Sequence, residues 1–340
     1  MTGFPFDNTA RAVVAEYALD GPVSWTTLGN AGGFSGARLW RGQRHDGTRL
    51  CLREWPNQRT TEDRLMTIHR AMRVLARLPF VPKLCETRDG STWVDVAGES
   101  LWEMTTWMPG VADFNDNPND ARLFAAMRAL AQMHERMRAA KPVTGPCPAV
   151  KRILRAMRGW RDLLQSGWKP DFRFPRPEPI PALARRAWQA ISAGTYSIEF
   201  TLVNWEDRQM PLQMCLCDIW HDHILYEKDQ LTGVIDYGAV KPDCVAIDLA
   251  RLLGSMIPEQ RERMRQAFAV YSAIHPTPEV VFELAAILDQ AGAIVGLTNW
   301  LRWLYHEQRS HLEGAAVGRR LEALTKRVET ATPTPLGAWA

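Results

Sequence analysis

Apolar and polar positions follow two different rhythms along this chain, and the change falls near residue 110. Before it, short β-prone runs at 25–28, 37–42 and 48–55 are separated by glycine-containing breaks. Residues 61–77 carry Leu65, Ile68, Met72 and Leu75 on one stripe, which predicts a helix. Strands are expected at 92–96 and 100–107, closing at Met108-Pro-Gly110. Beyond residue 118 the spacing is helical over 120–139, 151–164, 182–193, 259–274 and from 278 into the 320s. A strand-rich island at 212–236 interrupts it. The pattern implies an α+β chain of two lobes with a cleft between them. The N-terminal lobe would cover 1–106 and the mainly helical lobe 107–331. A tail at 332–340, with Pro333, Pro335 and Gly337, is expected to fray.

Composition narrows the class. With 46% hydrophobic and 23% charged residues in 340, the chain reads as globular. Forty-one Lys and Arg against 38 Asp and Glu leave +3, too weak a bias to argue for nucleic acid or an anionic membrane. The apolar stretch 282–304 is broken by Glu283, Asp289, Asn299 and Arg302 and reads as buried helix. No basic start followed by an apolar core opens the chain, and six cysteines then suggest free thiols in a reducing, cytoplasmic setting. Cys215 and Cys217 alternate with Leu216 on an expected strand and read as core packing.

The island carries the strongest chemical signal. An apolar run ends at Asp218, a polar loop follows, and two short strands flank the turn Glu227-Lys-Asp-Gln230 before Asp236. If those four residues close a hairpin, Tyr226 faces Leu231, Val234 faces His223 and Asp236 faces His221. Asp236, His221 and His223 would then converge beside the loop carrying Asp218. Such a cluster is costly to bury unless it holds a cation or a reacting group.

A second element lies upstream. Gly29, Gly32, Gly33 and Gly36, with Ser35 among them, form a glycine-rich stretch between two expected strands. It suits either a structural turn or a loop whose backbone N–H groups approach phosphate oxygens. Seventeen positions beyond it, Arg53 ends an apolar strand with a cation.

Taken in order, these motifs resemble the aminoglycoside phosphotransferase and choline kinase-like family, small-molecule relatives of the protein kinases. The likeness spans about residues 20–255. It runs through the glycine stretch, Arg53, the 61–77 helix, the hinge-like Trp102-Glu-Met-Thr-Thr-Trp-Met-Pro-Gly110 and the helix ending Ala129-Leu-Ala-Gln-Met-His134. It continues through the loop from Asp218, Val234-Ile-Asp-Tyr-Gly238 and Ala246-Ile-Asp-Leu-Ala-Arg-Leu-Leu253. The resemblance implies a bilobal protein-kinase-like fold and transfer of the γ-phosphate of ATP or GTP to a hydroxyl of a small molecule. By it, Asp218 is the catalytic aspartate and Asp236 the holder of Mg²⁺. The glycine loop and Arg53 grip phosphates, and backbone around Met104 and Thr106 holds the base. Asp248 fixes the loop after Asp236, and His134 is structural.

Three departures from the family pattern stand out. His223 replaces an Asn that ordinarily ligates a second metal, so either that site is altered, which points to Mn²⁺ as an alternative to Mg²⁺, or Asp222 supplies the missing oxygen. Leu216 replaces a His, and Arg53 replaces a Lys whose helix partner would be Glu62, with His69 near the same stripe. These departures leave two other readings open. One is a nucleotide-binding protein without transferase activity. The other is a metal-dependent hydrolase built on His221 and His223. The acceptor is not legible, although Trp300, Trp303 and Tyr305 could form an aromatic wall in the helical lobe.

Overall fold

The computed structural model describes residues 6–29, 36–56, 60–139, 141–309 and 315–330. Element order is α1 (Asn8–Glu16), β1 (Val23–Gly29), β2 (Arg38–Arg44), β3 (Arg49–Pro56), α2 (Glu62–Leu75), β4 (Trp93–Val96), β5 (Ser100–Thr106) and α3 (Asp120–Met137). Then come β6 (Val143–Pro146), α4 (Pro148–Gln165), α5 (Ile180–Val203), β7 (Gln209–Cys215), β8 (Ile224–Glu227), β9 (Gln230–Val234) and β10 (Lys241–Asp243). Four helices close the chain: α6 (Ala246–Met256), α7 (Arg261–Ser272), α8 (Glu279–Leu301) and α9 (Ala315–Thr330). The chain forms two compact units, 1–137 with 218–241, and 138–217 with 242–340. The first therefore runs past residue 106, the edge expected from the sequence, and takes in α3 and the β8–β9 hairpin. The expected tail at 332–340 lies outside the described residues.

The first unit is built on an antiparallel sheet of order β1-β2-β3-β5-β4. Alternation in β3 sends Leu50 and Leu52 to one face, where they join Trp40, Trp102, Met104, the α1 residues Ala10 and Val13, and Tyr17 just after that helix. Trp40 and Trp102 stack there at 5.2 Å between centroids. Helix α1 is an element that the strand-like reading of the N-terminal third leaves out. Its start is fixed by Asp7, whose carboxylate accepts the Ala10 N–H at 2.9 Å. The opposite face carries Arg53 and receives α2, whose buried side includes Leu65, Ile68 and His69.

The β8–β9 hairpin is tied to α3 by a buried cation. Arg122 donates to Asp113 Oδ1 (2.9 Å), Asp229 Oδ1 (3.2 Å) and Lys228 O, and stacks over the Tyr226 ring at 4.9 Å. Tyr226 O–H returns a bond to Arg122 O (3.1 Å). Gly110 sits at φ +93 with Tyr226 O only 2.8 Å from where a Cβ would stand, so the chain after β5 lies flat on the hairpin. There Val111 and Tyr226 exchange backbone bonds at 3.0 and 2.9 Å.

The hairpin register differs from the expected one by a bulge. Tyr226 pairs with Leu231 as expected, but Ile224 rather than His223 faces Val234. Thr232 is the extra residue, its hydroxyl donating to Pro109 O (2.8 Å). His221 and His223 fall in a 3-10 turn instead of a strand.

The second unit packs α4, α5, α8 and α9 around Trp160, Ile180, Ile191, Leu297, Leu301 and Leu321. Helix α5 continues ten residues beyond the expected end at 193, to Val203. Helix α8 is long and apolar enough to cross a membrane, yet it buries Phe282, Leu284, Leu288 and Leu297 among α4, α5, α6 and α9. Trp300 and Tyr305 belong to this core, and Arg309 covers the half-buried Trp303 ring, so they form no open aromatic wall. Among the described residues all six cysteines are free thiols.

Replacing Arg122 by Ala should lower unfolding free energy by about 2–4 kcal/mol, because it strips partners from two carboxylates and a carbonyl at once. Urea denaturation reads this, and an unchanged midpoint would show that the hairpin is held by its apolar contacts alone.

Candidate functional site

Cross-strand pairing creates the centre of the site. Arg53 on β3 stands directly opposite Glu103 on β5. Its Nη1 lies 3.8 Å from Glu103 Oε1 and 3.6 Å from Asp236 Oδ1, and its guanidinium stacks over Trp55 at 4.7 Å. Glu103 is the one charged residue of β5, flanked by the apolar Trp102 and Met104, with its side chain only 7% exposed. Its second oxygen lies 2.7 Å from His69 Nε2, and His69 Nδ1 lies 2.7 Å from Thr92 Oγ1. With its proton on Nε2, the imidazole donates to the carboxylate and accepts the Thr92 hydroxyl.

The acidic partner of Arg53 is therefore Glu103 and not Glu62. Glu62 is exposed in the first turn of α2, beside the cap formed by Thr61, whose hydroxyl accepts the Arg64 N–H. Helix α2 contributes His69 instead. A lone carboxylate inside a buried strand, in register with a strand arginine, is the signal that would have found it.

Asp236 follows β9 in the left-handed region, at φ +66, a conformation that Asp tolerates better than most residues. Burial pushes its carboxyl up. Arg53 and the Gly238 N–H (3.2 Å) together pull it down more strongly, and it ends below the usual carboxylate range. The loop beyond is pinned by Arg64 of α2, which donates to Gly238 O (2.6 Å) and to Val240 O. A Cβ at Gly238 would stand 3.0 Å from the Trp55 ring, so this position keeps the loop close to β3. Arg64 gives no signal in the sequence, since its partners are backbone carbonyls.

Asp218 is half-buried at the head of the segment that returns to Asp236. The residue before it, Cys217, is also left-handed (φ +63). Its N–H donates to Asp248 Oδ1 at 2.6 Å and that of Leu216 to Oδ2 at 2.7 Å. Asp248, fully buried in α6, therefore fixes the approach to Asp218. His134 is fully buried on α3.

The two loop histidines are engaged separately. Trp220 Nε1 donates to His223 Nε2 at 2.9 Å, and an indole is a donor only, so that nitrogen presents its lone pair to Trp220. The same atom lies 3.8 Å from Asp236 Oδ2. His221 Nε2 receives Asn115 Nδ2 at 2.8 Å. Among the described residues, neither histidine belongs to a trio of potential ligands near enough to share an ion. Metal ligation by His223 Nε2 is thus opposed by its bond to Trp220, and a shared His221–His223 metal site by their different partners. Asp236 suits a hard divalent cation, because Mg²⁺ is commonly held by one or two carboxylates plus substrate phosphates and water.

The hinge expectation also shifts. Met104 is a core side chain whose C=O accepts the Cys85 N–H (2.9 Å), and the Thr106 N–H donates to Lys83 O (2.8 Å). The 83–85 segment has taken both groups, so neither is open to a base. Gly32, Gly33 and Ser35 lie outside the described residues; Gly29 ends β1 at φ +64, and Gly36 has φ +80.

A strand cation paired to a loop aspartate, on an antiparallel sheet with α1 on one face and α2 on the other, matches the fold of a kinase-like phosphotransferase. The chain belongs to the phosphotransferase enzyme family, whose family model matches residues 26–284. Among solved structures it is similar to an aminoglycoside phosphotransferase from Alicyclobacillus acidocaldarius, at 16% identity and TM-score 0.61, covering 94% of this chain and 91% of that one. Spectinomycin phosphotransferase, bound to ADP and spectinomycin, gives 10% identity and TM-score 0.61 over 92% and 94%. Amicoumacin kinase, with AMP-PNP, Ca²⁺ and its antibiotic, gives 12% and 0.59 over 96% of each chain. No curated protein matches by sequence.

Two predictions follow from the geometry. Because the Asp236 carboxyl is held below its unfolded value, its contribution to stability is present above the ordinary carboxylate range and fades as pH falls through it. The stability gap between wild type and Asp236→Asn, measured by urea denaturation, should be full at about pH 7 and shrink below about pH 4. A gap independent of pH would mean that Arg53 does not hold this charge. Trp220→Phe should release the His223 lone pair and raise the ratio of Mn²⁺- to Mg²⁺-supported turnover severalfold, and an unchanged ratio would leave His223 a purely structural role.

Proposed function

We propose that this phosphotransferase moves the γ-phosphate of ATP or GTP to a hydroxyl group of a small molecule. The observation that carries the reading is the Arg53–Asp236 pair, which couples the strand cation to the loop carboxylate. Phosphoryl transfer needs little covalent help from a protein and much placement and charge stabilisation. Arg53 can supply that to phosphate oxygens, since a guanidinium stays charged and binds such oxygens through two N–H groups. Glu103 and Trp55 hold it in one orientation.

In this reading Asp218 accepts a hydrogen bond from the acceptor hydroxyl and takes its proton as the hydroxyl oxygen bonds to the γ-phosphorus. The bond from that phosphorus to the β-bridging oxygen breaks, and the nucleoside diphosphate leaves with the electron pair. Asp236 would hold the divalent cation, which when bound offsets the charge of the phosphates. Asp248 keeps the backbone before Asp218 fixed, and Arg64 does the same for the loop after Asp236. The glycine stretch at 29–36, with Arg53, would neutralise and position the phosphates. The base would be met by backbone other than the Met104 C=O and Thr106 N–H. Structural relatives crystallised with ADP or AMP-PNP and with antibiotic acceptors support a nucleotide donor and a small acceptor for this chain.

Asp218→Asn should cut turnover by about 10²–10⁴-fold while nucleotide affinity changes little, as expected for loss of a positioned base. The measurement is release of nucleoside diphosphate across a panel of amino alcohols, aminoglycosides, sugars and nucleosides. Full turnover in the variant would remove Asp218 from the chemistry. Nucleotide binding with no turnover on any acceptor, in wild type as in the variant, would favour a binding module.

A further inference from the structure

The second unit holds a hollow of about 340 Å³ among α6, α7, α8 and α9. None of Arg53, Asp218 and Asp236 lines it. An apolar cavity of ~150 Å³ already admits a molecule the size of benzene, so this one has room for a larger guest. Leu249, Leu253, Met264 and Phe282 supply apolar walls, and the small side chains of Ala250 on α6 and Ala286 on α8 leave the space open. Atoms around an unfilled hollow forfeit dispersion contacts that a guest would restore.

The polar side chains of the lining are already matched within the protein. Asp289 on α8 pairs with Arg327 on α9, with side chains 18% and 21% exposed. A Cβ at Gly254 would collide with the Asp289 carboxylate, so α6 carries glycine where the pair crosses it. At the rim Glu259 accepts the Thr330 hydroxyl and ties the end of α9 to the turn before α7. Arg261 and Gln290, the remaining polar side chains, have partners of their own. Two cations and two carboxylates therefore cancel around the hollow. A charged guest would give up its water and find each counter-charge taken. Drawing Arg327 or Asp289 to itself would strand the other member of a largely buried pair. What the lining leaves unmet is apolar.

We propose that this cavity binds a small neutral molecule, an aryl or medium-chain aliphatic compound, apart from the phosphoryl-transfer residues. Its apolar body lies along Leu253, Met264 and Phe282, and a hydroxyl on it lies toward the Asp289–Arg327 pair. This goes beyond the kinase reading and does not depend on it.

Calorimetric titration of the full chain compares 4-phenylbutanol with 4-phenylbutyrate and 4-phenylbutylamine, which carry the same body with a negative or a positive charge. Saturable binding of one phenylbutanol per chain is expected, with each charged analogue at least tenfold weaker. Ala286→Trp, which fills the hollow, should weaken phenylbutanol at least tenfold and leave ATP binding unchanged. If that variant does not fold, Ala250→Met serves in its place. No saturable binding of phenylbutanol up to about 1 mM, or equal affinity in the filled variant, would overturn the proposal. So would an analogue of either charge binding as tightly as the alcohol. Phosphorylation of phenylbutanol that Ala286→Trp abolishes would also overturn it, making the cavity the acceptor pocket.

Discussion

A guanidinium set into the face of a sheet must be neutralised where it stands, and much of the first unit is arranged around that requirement at Arg53. Glu103 meets it from the neighbouring strand and Asp236 from the loop after β9. The cost of burying Arg53 is offset by these two carboxylates, which keep its charge more firmly bound than usual. In return Arg53 keeps Asp236 ionised. His69 and Thr92 complete the second oxygen of Glu103, so the chain of contacts leaves no carboxylate oxygen of Glu103 unmatched.

The rest of the first unit holds the ends of the Asp218–Asp236 segment still. Arg122 and Tyr226 bind the hairpin to α3, and Gly110 lets the chain after β5 lie against it. Arg64 grips the loop beyond Asp236 through its carbonyls, while Trp220 fixes His223. These are side chains acting on backbone or on one another. Each removes freedom from a charged group whose usefulness depends on standing in one place.

Most of the fold was legible in the sequence where periodicity was strong. The stripe Leu65, Ile68, Met72, Leu75 gave α2 to within two residues, and the 227–230 turn gave the hairpin. Helix α1 escaped because its buried stripe is only Ala10, Val13 and the following Tyr17, too short to stand out. The bulge at Thr232 escaped because a hydroxyl reaching Pro109 O leaves no trace in spacing. Asp218, Asp236 and Arg53 could be named because their types and order carry chemistry. Glu62 was the wrong partner because helix spacing cannot report which strand lies beneath. Glu103 was in view as part of the hinge-like segment, but strand pairing alone reveals that it faces Arg53. Met104 and Thr106 illustrate the same limit: their backbone groups were plausible donors and acceptors until the 83–85 segment took them.

Placing the acid on β5 has an effect of its own. In protein kinases the comparable ion pair joins a strand to a movable helix, so rotating that helix switches the enzyme off. Here both members face each other across adjacent strands of one ladder, at Arg53 and Glu103, and the helix merely buttresses them through His69. Tilting α2 would loosen a brace without parting the charges, so this arrangement has no off-position of the kind a swinging helix provides.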